Sequence, residues 1–135
     1  MMVSTRGRYA LRLMIDIAKQ GEGGALVAMR QAAEREGLSV KYLEQLGGAL
    51  VRAGVLKSMR GVSGGYMLAR PADEITVGDI LRATEGSSAP VACVEDAKTC
   101  DRSGQCAARD FWVGLNEAIE SYADGVALSD LARKA

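Results

Sequence analysis

The stretch VAMRQAAEREGLSVKYLEQLGGALVRAGVL, residues 27–56, decides the fold of this chain. It predicts a short alanine-rich helix over about 29–36 that stops at Gly37, a residue suited to the left-handed conformation just past a helix end. Ser39 then caps a second helix that ends at Gly54. The apolar face of this second helix is formed by Leu43, Leu46 and Leu50. Helix, glycine turn and capped helix are the layout of a helix-turn-helix.

In that layout the exposed first turn of the second helix enters the major groove of DNA. Lysine can reach phosphate or guanine, glutamine can pair with adenine, and glutamate can accept from the cytosine amino group. An ordinary amphipathic helix pair is the alternative. Gly47 and Gly48 weaken the helix interior and suggest close backbone packing there. The candidate DNA contacts of this segment are Ser39, Lys41, Tyr42, Glu44 and Gln45.

Residues 55–70, VLKSMRGVSGGYMLAR, predict two short strands, about 55–59 and 65–69, joined by a flexible tip. A hairpin directly after a helix-turn-helix is a wing. Arg60 at its tip can enter a narrow minor groove, and Ser63 is a further candidate contact. A plain hairpin with a solvated arginine is the alternative, but Lys57, Arg60 and Arg70 surround the turn without any acidic residue.

The flanking segments complete a small helical domain. The first helix is predicted to begin at Ser4 or Thr5 and to end at Gly21. Arg6 at its start is a candidate phosphate contact or part of a solvated helix end. After the wing, Thr76 and Asp79 form a capping signal for a short helix to about residue 83. The first helix has an apolar stripe of Ala10, Leu13, Met14, Ile17 and Ala18, with Asp16 off it.

Two further helices are predicted near the end of the sequence. One follows Cys106 and runs to Gly125, and the other is a short cap, LSDLARKA, with Ser129 at its start. The wide apolar face of the longer helix needs a surface to bury against, which favours an oligomer interface. That face consists of Ala108, Phe111, Trp112, Leu115, Ala118, Ile119 and Tyr122.

All three cysteines lie within the charged stretch CVEDAKTCDRSGQC, at Cys93, Cys100 and Cys106. This stretch is predicted to be a loop. An odd number of cysteines in a reducing compartment favours a metal, redox or free-thiol role over a disulfide framework. A ligand cluster is therefore one prediction for this loop, and a set of redox-sensitive thiols is the other.

Composition narrows the class of protein. The chain has 135 residues and 48% hydrophobic residues, enough for a core, but no apolar run that would cross a bilayer. Together with the lack of a signal-peptide pattern, this predicts a cytoplasmic protein. Residues 1–70 carry 11 basic and 5 acidic residues, whereas 71–135 carry 6 and 12. A basic first half is what a nucleic-acid-binding face requires. The lack of histidine and of nucleotide-binding or hydrolase motifs argues against an enzyme.

With these residues placed, the chain resembles the IscR-type winged helix-turn-helix transcription regulators, a family that includes IscR, NsrR and CymR. The matching stretches run from about residue 3 to residue 131. They are STRGRYALRLMIDIA, LSVKYLEQL, SMRGVSGGYMLARP and EITVGDILRATEG.

The resemblance implies a mainly α fold with a small β-hairpin wing, and a homodimer whose long C-terminal helices cross on a palindromic double-stranded operator. It divides the chain into a winged helix-turn-helix domain (1–85), a cysteine loop (86–106) and a dimerisation helix with a C-terminal cap (107–135). It also implies an iron–sulfur cluster, most simply 2Fe-2S, held by the three cysteines.

The fourth cluster ligand is the point at which this sequence departs from the family pattern. IscR-like members have a histidine three residues after the third cysteine, and Arg109 stands there instead. Arginine has no lone pair to offer a metal. The alternatives are a cysteine loop without a cluster, as in CymR-like regulators answering to a partner protein or thiol oxidation, and a small iron–sulfur electron carrier. The remaining candidates for the fourth ligand are Glu95, Asp96, Asp101, Asp110, a residue of the partner's first helix, or a small thiol.

Overall fold

The computed structural model describes residues 3–135 and contains, within them, seven α-helices and one two-stranded sheet. Short 3-10 turns lie at Glu22–Gly24, Ala72–Glu74 and Ala97–Thr99. The elements follow the order α1 (Thr5–Gln20), α2 (Met29–Glu36), α3 (Val40–Arg52), β1 (Leu56–Met59), β2 (Gly65–Leu68), α4 (Val77–Glu85), α5 (Ala92–Glu95), α6 (Ala107–Asp124) and α7 (Leu128–Ala132). The predicted mainly helical fold with one hairpin is confirmed. Within the described range, no helix combines the length and the apolar character needed to cross a bilayer.

The core is built around α1, whose predicted cap and apolar stripe are both present. Ser4 caps the helix, accepting a hydrogen bond from the Gly7 backbone N–H at 3.3 Å. Four of the five stripe residues are buried, and Ala18 is half-buried. Asp16, which the pattern placed off this stripe, is nevertheless buried, with 7% of the residue exposed. It is held there by Arg35 of α2, whose guanidinium donates two hydrogen bonds of 2.7 and 2.8 Å to it.

The α2–α3 unit has the predicted geometry. Gly37 adopts a left-handed conformation with φ of 67°, and the Ser39 hydroxyl accepts from the Tyr42 backbone N–H at 3.1 Å. The second helix ends at Arg52 rather than at Gly54, which lies in the following turn with φ of 80°. The three leucines of its inner face, Leu43, Leu46 and Leu50, are fully buried. Burial of each contributes roughly 1.5–3 kcal/mol to folding.

The wing is an antiparallel hairpin in which Leu56 pairs with Leu68 and Met59 pairs with Gly65. Each strand is one residue shorter than predicted, since β1 begins at Leu56 and β2 ends at Leu68. A third backbone segment extends the hairpin on its other side. Val27 and Tyr66 exchange two backbone hydrogen bonds of 2.8 Å each. The wing is thereby joined to the chain that enters α2.

The capping signal before α4 forms as predicted. Thr76 and Asp79 exchange two hydrogen bonds of 3.0 Å, each side chain accepting from the other residue's backbone N–H. The helix extends to Glu85, two residues beyond the predicted end. Partial burial raises the pKa of Asp79, but the hydrogen bonds with Thr76, the charge of Arg70 and the hydrogen bond from Arg82 outweigh it, and the pKa lies below the ordinary value of 3.8.

The last third of the chain departs from prediction in two places. The cysteine stretch is not entirely a loop, because it contains α5 and a 3-10 turn. The final helix begins at Leu128 rather than at Ser129, and the Asp130 carboxylate accepts from the Ala127 backbone N–H at 3.3 Å. Leu128 is fully buried in the core that α1 and α3 share. The C-terminal cap therefore packs into the winged domain.

Candidate nucleic-acid interface and cysteine loop

The first turn of α3 presents a polar surface to solvent. Lys41, Glu44 and Gln45 are exposed, whereas Leu43 on the opposite side is buried. Ser39 is exposed as well, and its oxygen is the helix cap. A hydroxyl that accepts from the backbone keeps its own hydrogen free for a phosphate oxygen. Four of the five predicted contacts on this helix thus lie on one exposed side of the molecule or at its edge.

Tyr42, the fifth residue, differs from the others because it is half-buried against α1. Its ring meets the ring of Tyr9 edge-on, with centroids 6.0 Å apart. The guanidiniums of Arg8 and Arg12 lie 5.8 and 5.3 Å from the centroid of Tyr9. Two basic side chains of α1 are therefore held beside the start of α3, the helix predicted to enter the major groove and called the recognition helix below. Tyr9 was not among the residues predicted for this site, and its signal in the sequence is an aromatic residue between two arginines.

The wing tip is exposed and its backbone is constrained by glycine. Gly61 has φ of 112°, and the Gly64 N–H donates to its carbonyl oxygen at 3.0 Å. A side chain on Gly64 would collide with the Met59 carbonyl oxygen. Arg60 and Ser63 both project from this turn into solvent. Arg6, the remaining candidate contact, is exposed in the first turn of α1.

Tyr66 of β2 fixes the wing against the recognition helix. A Cβ placed on Gly47 would lie 3.0 Å from Tyr66 Cε2 and 2.9 Å from Met29 Cε, so a side chain there would push both neighbours from their positions. Burial, followed by the negative charge of Glu44, raises the pKa of the Tyr66 hydroxyl. Close packing at Gly47 is thus confirmed, whereas the nearest atom to a Cβ on Gly48 would be a flexible arginine nitrogen.

The three cysteines occupy different elements around the start of α6. Cys93 lies on α5 and Cys106 is the residue before α6, both half-buried, whereas Cys100 is exposed after the 3-10 turn. Arg109 donates a hydrogen bond of 3.3 Å to the carbonyl oxygen of Cys93. In the part of the chain that the structure describes, no three cysteine, aspartate or glutamate side chains are grouped tightly enough to hold a metal ion.

The donor groups of the loop match those of an iron–sulfur site in part. Thiolates are the ligands that such clusters prefer, so the three cysteines fit in kind. Arg109 cannot supply the fourth ligand, and its guanidinium is bonded to the backbone of the loop instead. The loop therefore offers three suitable donors that would have to come together for a cluster to bind.

Comparison with known proteins assigns the family. The profile of the Rrf2 family, described as an iron-dependent transcriptional regulator, matches residues 3–134. The chain belongs to the Rrf2 family. The relatives CymR and IscR are named as transcriptional regulators, and the protein is accordingly a DNA-binding regulator rather than an enzyme. The resemblance to IscR-type regulators predicted from the sequence is confirmed.

The chain is similar both to a relative named CymR and to relatives named IscR, the two kinds of regulator that the sequence suggested. The HTH-type transcriptional regulator CymR of Bacillus subtilis is 41% identical over 133 residues, which are 98% of this chain and 90% of CymR. IscR of Aliivibrio salmonicida is 36% identical, over 97% of this chain and 77% of that protein.

Two solved structures show the same fold. The structure of B. subtilis CymR, called the global cysteine regulator of that organism, matches with a TM-score of 0.82 and 38% identity, covering 100% of this chain and 98% of CymR. That of T. potens IscR matches with a TM-score of 0.78 and 36% identity, covering 99% and 88%. The winged helix-turn-helix fold is thereby confirmed.

Proposed function

We propose that this Rrf2-family protein acts as a homodimer on a palindromic operator and senses iron–sulfur or redox status through Cys93, Cys100 and Cys106. The proposal of DNA binding is supported by one observation: α3 and the wing are held against each other by direct contacts. Tyr66 seats β2 on Gly47, and Val27 ties the same strand to the chain before α2. A rigid pair of elements can address the major and the minor groove at once.

The proposed DNA contacts follow from exposure and chemistry. Lys41, Glu44 and Gln45 would read base edges in the major groove. Arg60 would enter the minor groove, where a narrow A·T-rich segment concentrates negative potential. The phosphate contacts would come from Arg6, Ser39 and Ser63, with Tyr42 packed at the edge of the interface.

The proposed dimer rests on α6. In the described part of the chain this helix of 18 residues contributes no buried side chain. Phe111 and Tyr122 are 63% and 78% exposed, and Ala118 lies between them on the same side. Apolar side chains at this spacing on one helix face are suited to pairing with the same face of a second copy. The predicted apolar face is divided, because Trp112 and Ile119 are partly covered within the chain.

An iron–sulfur cluster on the three thiolates is the first proposal for the sensor, and it would supply a centre sensitive to oxidation and to iron supply. Cys93 and Cys106 flank the start of α6, so their movement toward Cys100 would act on α5 and on the first turn of α6. A cluster-free thiol switch is the second proposal. It is favoured by the separate elements that carry the cysteines and by the bond from Arg109 to Cys93.

Replacement of Arg60 by alanine tests the DNA-binding proposal. We expect operator affinity to fall about 5- to 100-fold, because a minor-groove guanidinium is lost, and the slope of log affinity against log salt to decrease by about one. Fluorescence anisotropy at several salt concentrations measures both. The control is Lys19→Ala, which removes an exposed cation at the end of α1. Unchanged affinity in Arg60→Ala would overturn the wing assignment.

Anaerobic reconstitution with iron and sulfide distinguishes the two sensor proposals. If the cluster proposal holds, the protein gains visible absorbance with stoichiometric iron and sulfide, and Cys100→Ala loses it. The control is Ser103→Ala, which keeps every thiol while removing a neighbouring hydroxyl. A colourless protein under all conditions, combined with operator affinity that changes on reversible thiol oxidation, would favour the cluster-free switch.

A further inference from the structure

The C-terminal end of α6 is attached to the winged domain by backbone hydrogen bonds. The Val77 N–H donates to the Val126 carbonyl oxygen at 2.9 Å, and the Leu128 N–H donates to the Ile75 carbonyl oxygen at 2.8 Å. These bonds pair the turn between α6 and α7 with the segment that leads into α4. The dimerisation helix and the DNA-binding domain are therefore joined at a defined point.

Charged side chains continue this junction toward the wing. Asp124, the last residue of α6, accepts from Arg82 of α4 at 2.7 Å, and Arg82 also donates to Asp79 at 3.3 Å. Asp79 accepts in turn from Arg70 at 3.4 Å, and Arg70 donates to the Glu74 carbonyl oxygen at 3.2 Å. Arg70 follows the second strand of the wing. One chain of hydrogen bonds thus runs from the end of α6 to the base of the wing.

The approach of α6 to α4 at this point leaves no room for a side chain on Gly78 unless Asp124 moves. A Cβ on Gly78, in the first turn of α4, would collide with the Asp124 carboxylate and would lie 3.2 Å from an Arg82 nitrogen. Thr76 adds a weak hydrogen bond of 3.4 Å to Asp124. The hydrogen bond to Asp124 is the main reason that the pKa of Arg82 is raised above its ordinary value.

Farther along α6 the packing is looser. A groove of about 400 Å³ lies between α4 and α6, lined in part by Leu81, Glu85, Ile119 and Ala123. Nearer the cysteine loop, the Ser88 hydroxyl lies 2.8 Å from Asn116 Oδ1 and 3.1 Å from Glu120 Oε1 of α6. In the described part of the chain, the side-chain hydrogen bonds between α6 and residues 3–85 all involve Asp124.

We propose that Arg82 and Asp124 are positioning residues that set the angle between α6 and the winged domain, and thereby the half-site spacing that the dimer accepts. This inference rests on the proposed homodimer. In such a dimer α6 is the shared axis, so its angle to each domain fixes the distance between the two recognition helices. Dimeric helix-turn-helix proteins require half-sites about one helical turn apart, and a change of one base pair in spacing both shifts and rotates a half-site.

The test is a panel of operators that keep both half-sites and differ only in the number of central base pairs. A starting operator is selected by the wild-type protein from random DNA, and the spacing is then changed by one and two base pairs in each direction. We expect Arg82→Gln to lower the preference for the best spacing roughly 2- to 30-fold. The salt slope and the effect of mutating a half-site base should stay unchanged, because α3 and the wing are intact.

A merely structural role would weaken binding to every spacing equally, and that result would overturn the proposal. The matched control is Arg133→Gln, which removes an i, i+3 bridge to Asp130 on α7 and should leave the spacing preference unchanged. A conservative variant, Asp124→Asn, should give an intermediate loss. It also keeps the test available if Arg82→Gln proves unstable.

A suppressor pair gives a second readout. Gly78→Ala should reduce the spacing preference because its methyl group displaces the Asp124 carboxylate. If this displacement is the cause, Asp124→Ala in the same chain relieves the collision, and the double variant recovers the stability lost in Gly78→Ala while keeping the reduced preference. No recovery would contradict the assigned contact. If the wild-type protein binds a single half-site as tightly as the palindrome, the proposed homodimer fails instead.

Discussion

Replacing Ala118 by aspartate is expected to convert the protein to a monomer and to lower its affinity for a palindromic operator by about 10²- to 10⁴-fold. The loss comes from avidity, because two linked half-site contacts become one. Ala118 is exposed on α6 between Phe111 and Tyr122, so a carboxylate there would be buried without a partner in the proposed interface. Analytical ultracentrifugation and operator titration measure the two effects.

The matched control for this variant is Glu117→Lys. Glu117 is also exposed, but it lies on the polar flank of α6 with Asp110 and Ser121. A charge reversal there should leave the dimer intact. Because neither position is buried within one chain, circular dichroism should show native helix content in both variants. A dimer that persists in Ala118→Asp would show that another surface joins the two copies.

Replacing Arg35 by methionine is expected to lower the free energy of unfolding by about 2–3 kcal/mol. Removal of one partner from a buried ion pair typically costs about 3–5 kcal/mol, and the value is reduced here because the Arg35 side chain is 34% exposed. Asp16, whose side chain is only 5% exposed, would be left buried without its ion-pair partner. Urea unfolding at constant m-value measures the change.

Two further variants separate the burial of charge from the loss of a contact. Asp16→Asn combined with Arg35→Met removes the unpaired charge and should recover part of the lost stability. Arg12→Met breaks the other ion pair between α1 and α2, from Arg12 to Glu36, whose side chains are 47% and 21% exposed. That variant should lose less than about 1 kcal/mol, as surface pairs do. Equal losses in Arg12→Met and Arg35→Met would contradict the explanation.

Much of the candidate site followed from local sequence. Gly37 and Ser39 specify a turn and a cap by their own backbone and side-chain chemistry, so the recognition helix could be placed without tertiary information. The wing could also be predicted, because glycines and alternating strand residues flank Arg60. The contact between Tyr42 and Tyr9 could not be predicted, because the two residues lie on different helices and 33 positions apart in the sequence.

The contacts within the cysteine loop could not be predicted from the sequence. The sequence showed three clustered thiols, and the family resemblance with the chemistry of arginine excluded Arg109 as the fourth ligand, but neither indicated that the guanidinium bonds to Cys93. The spacing of the cysteines also could not indicate that they lie on separate elements, because the formation of short helices such as α5 depends on packing more than on helix propensity.

The sequence by itself determined the helix-turn-helix, its cap, the wing and the apolar character of α6, because each depends on residues within a few positions of one another. Only the tertiary structure decided that Asp16 is buried with Arg35, that Gly47 seats Tyr66, and that Asp124 ends α6 against Gly78 and Arg82. Those partners lie 19, 19 and 42 to 46 positions apart, respectively. Contacts of this kind arise when preformed elements pack, and a local hydrophobic pattern specifies which face is buried but not which side chain meets it.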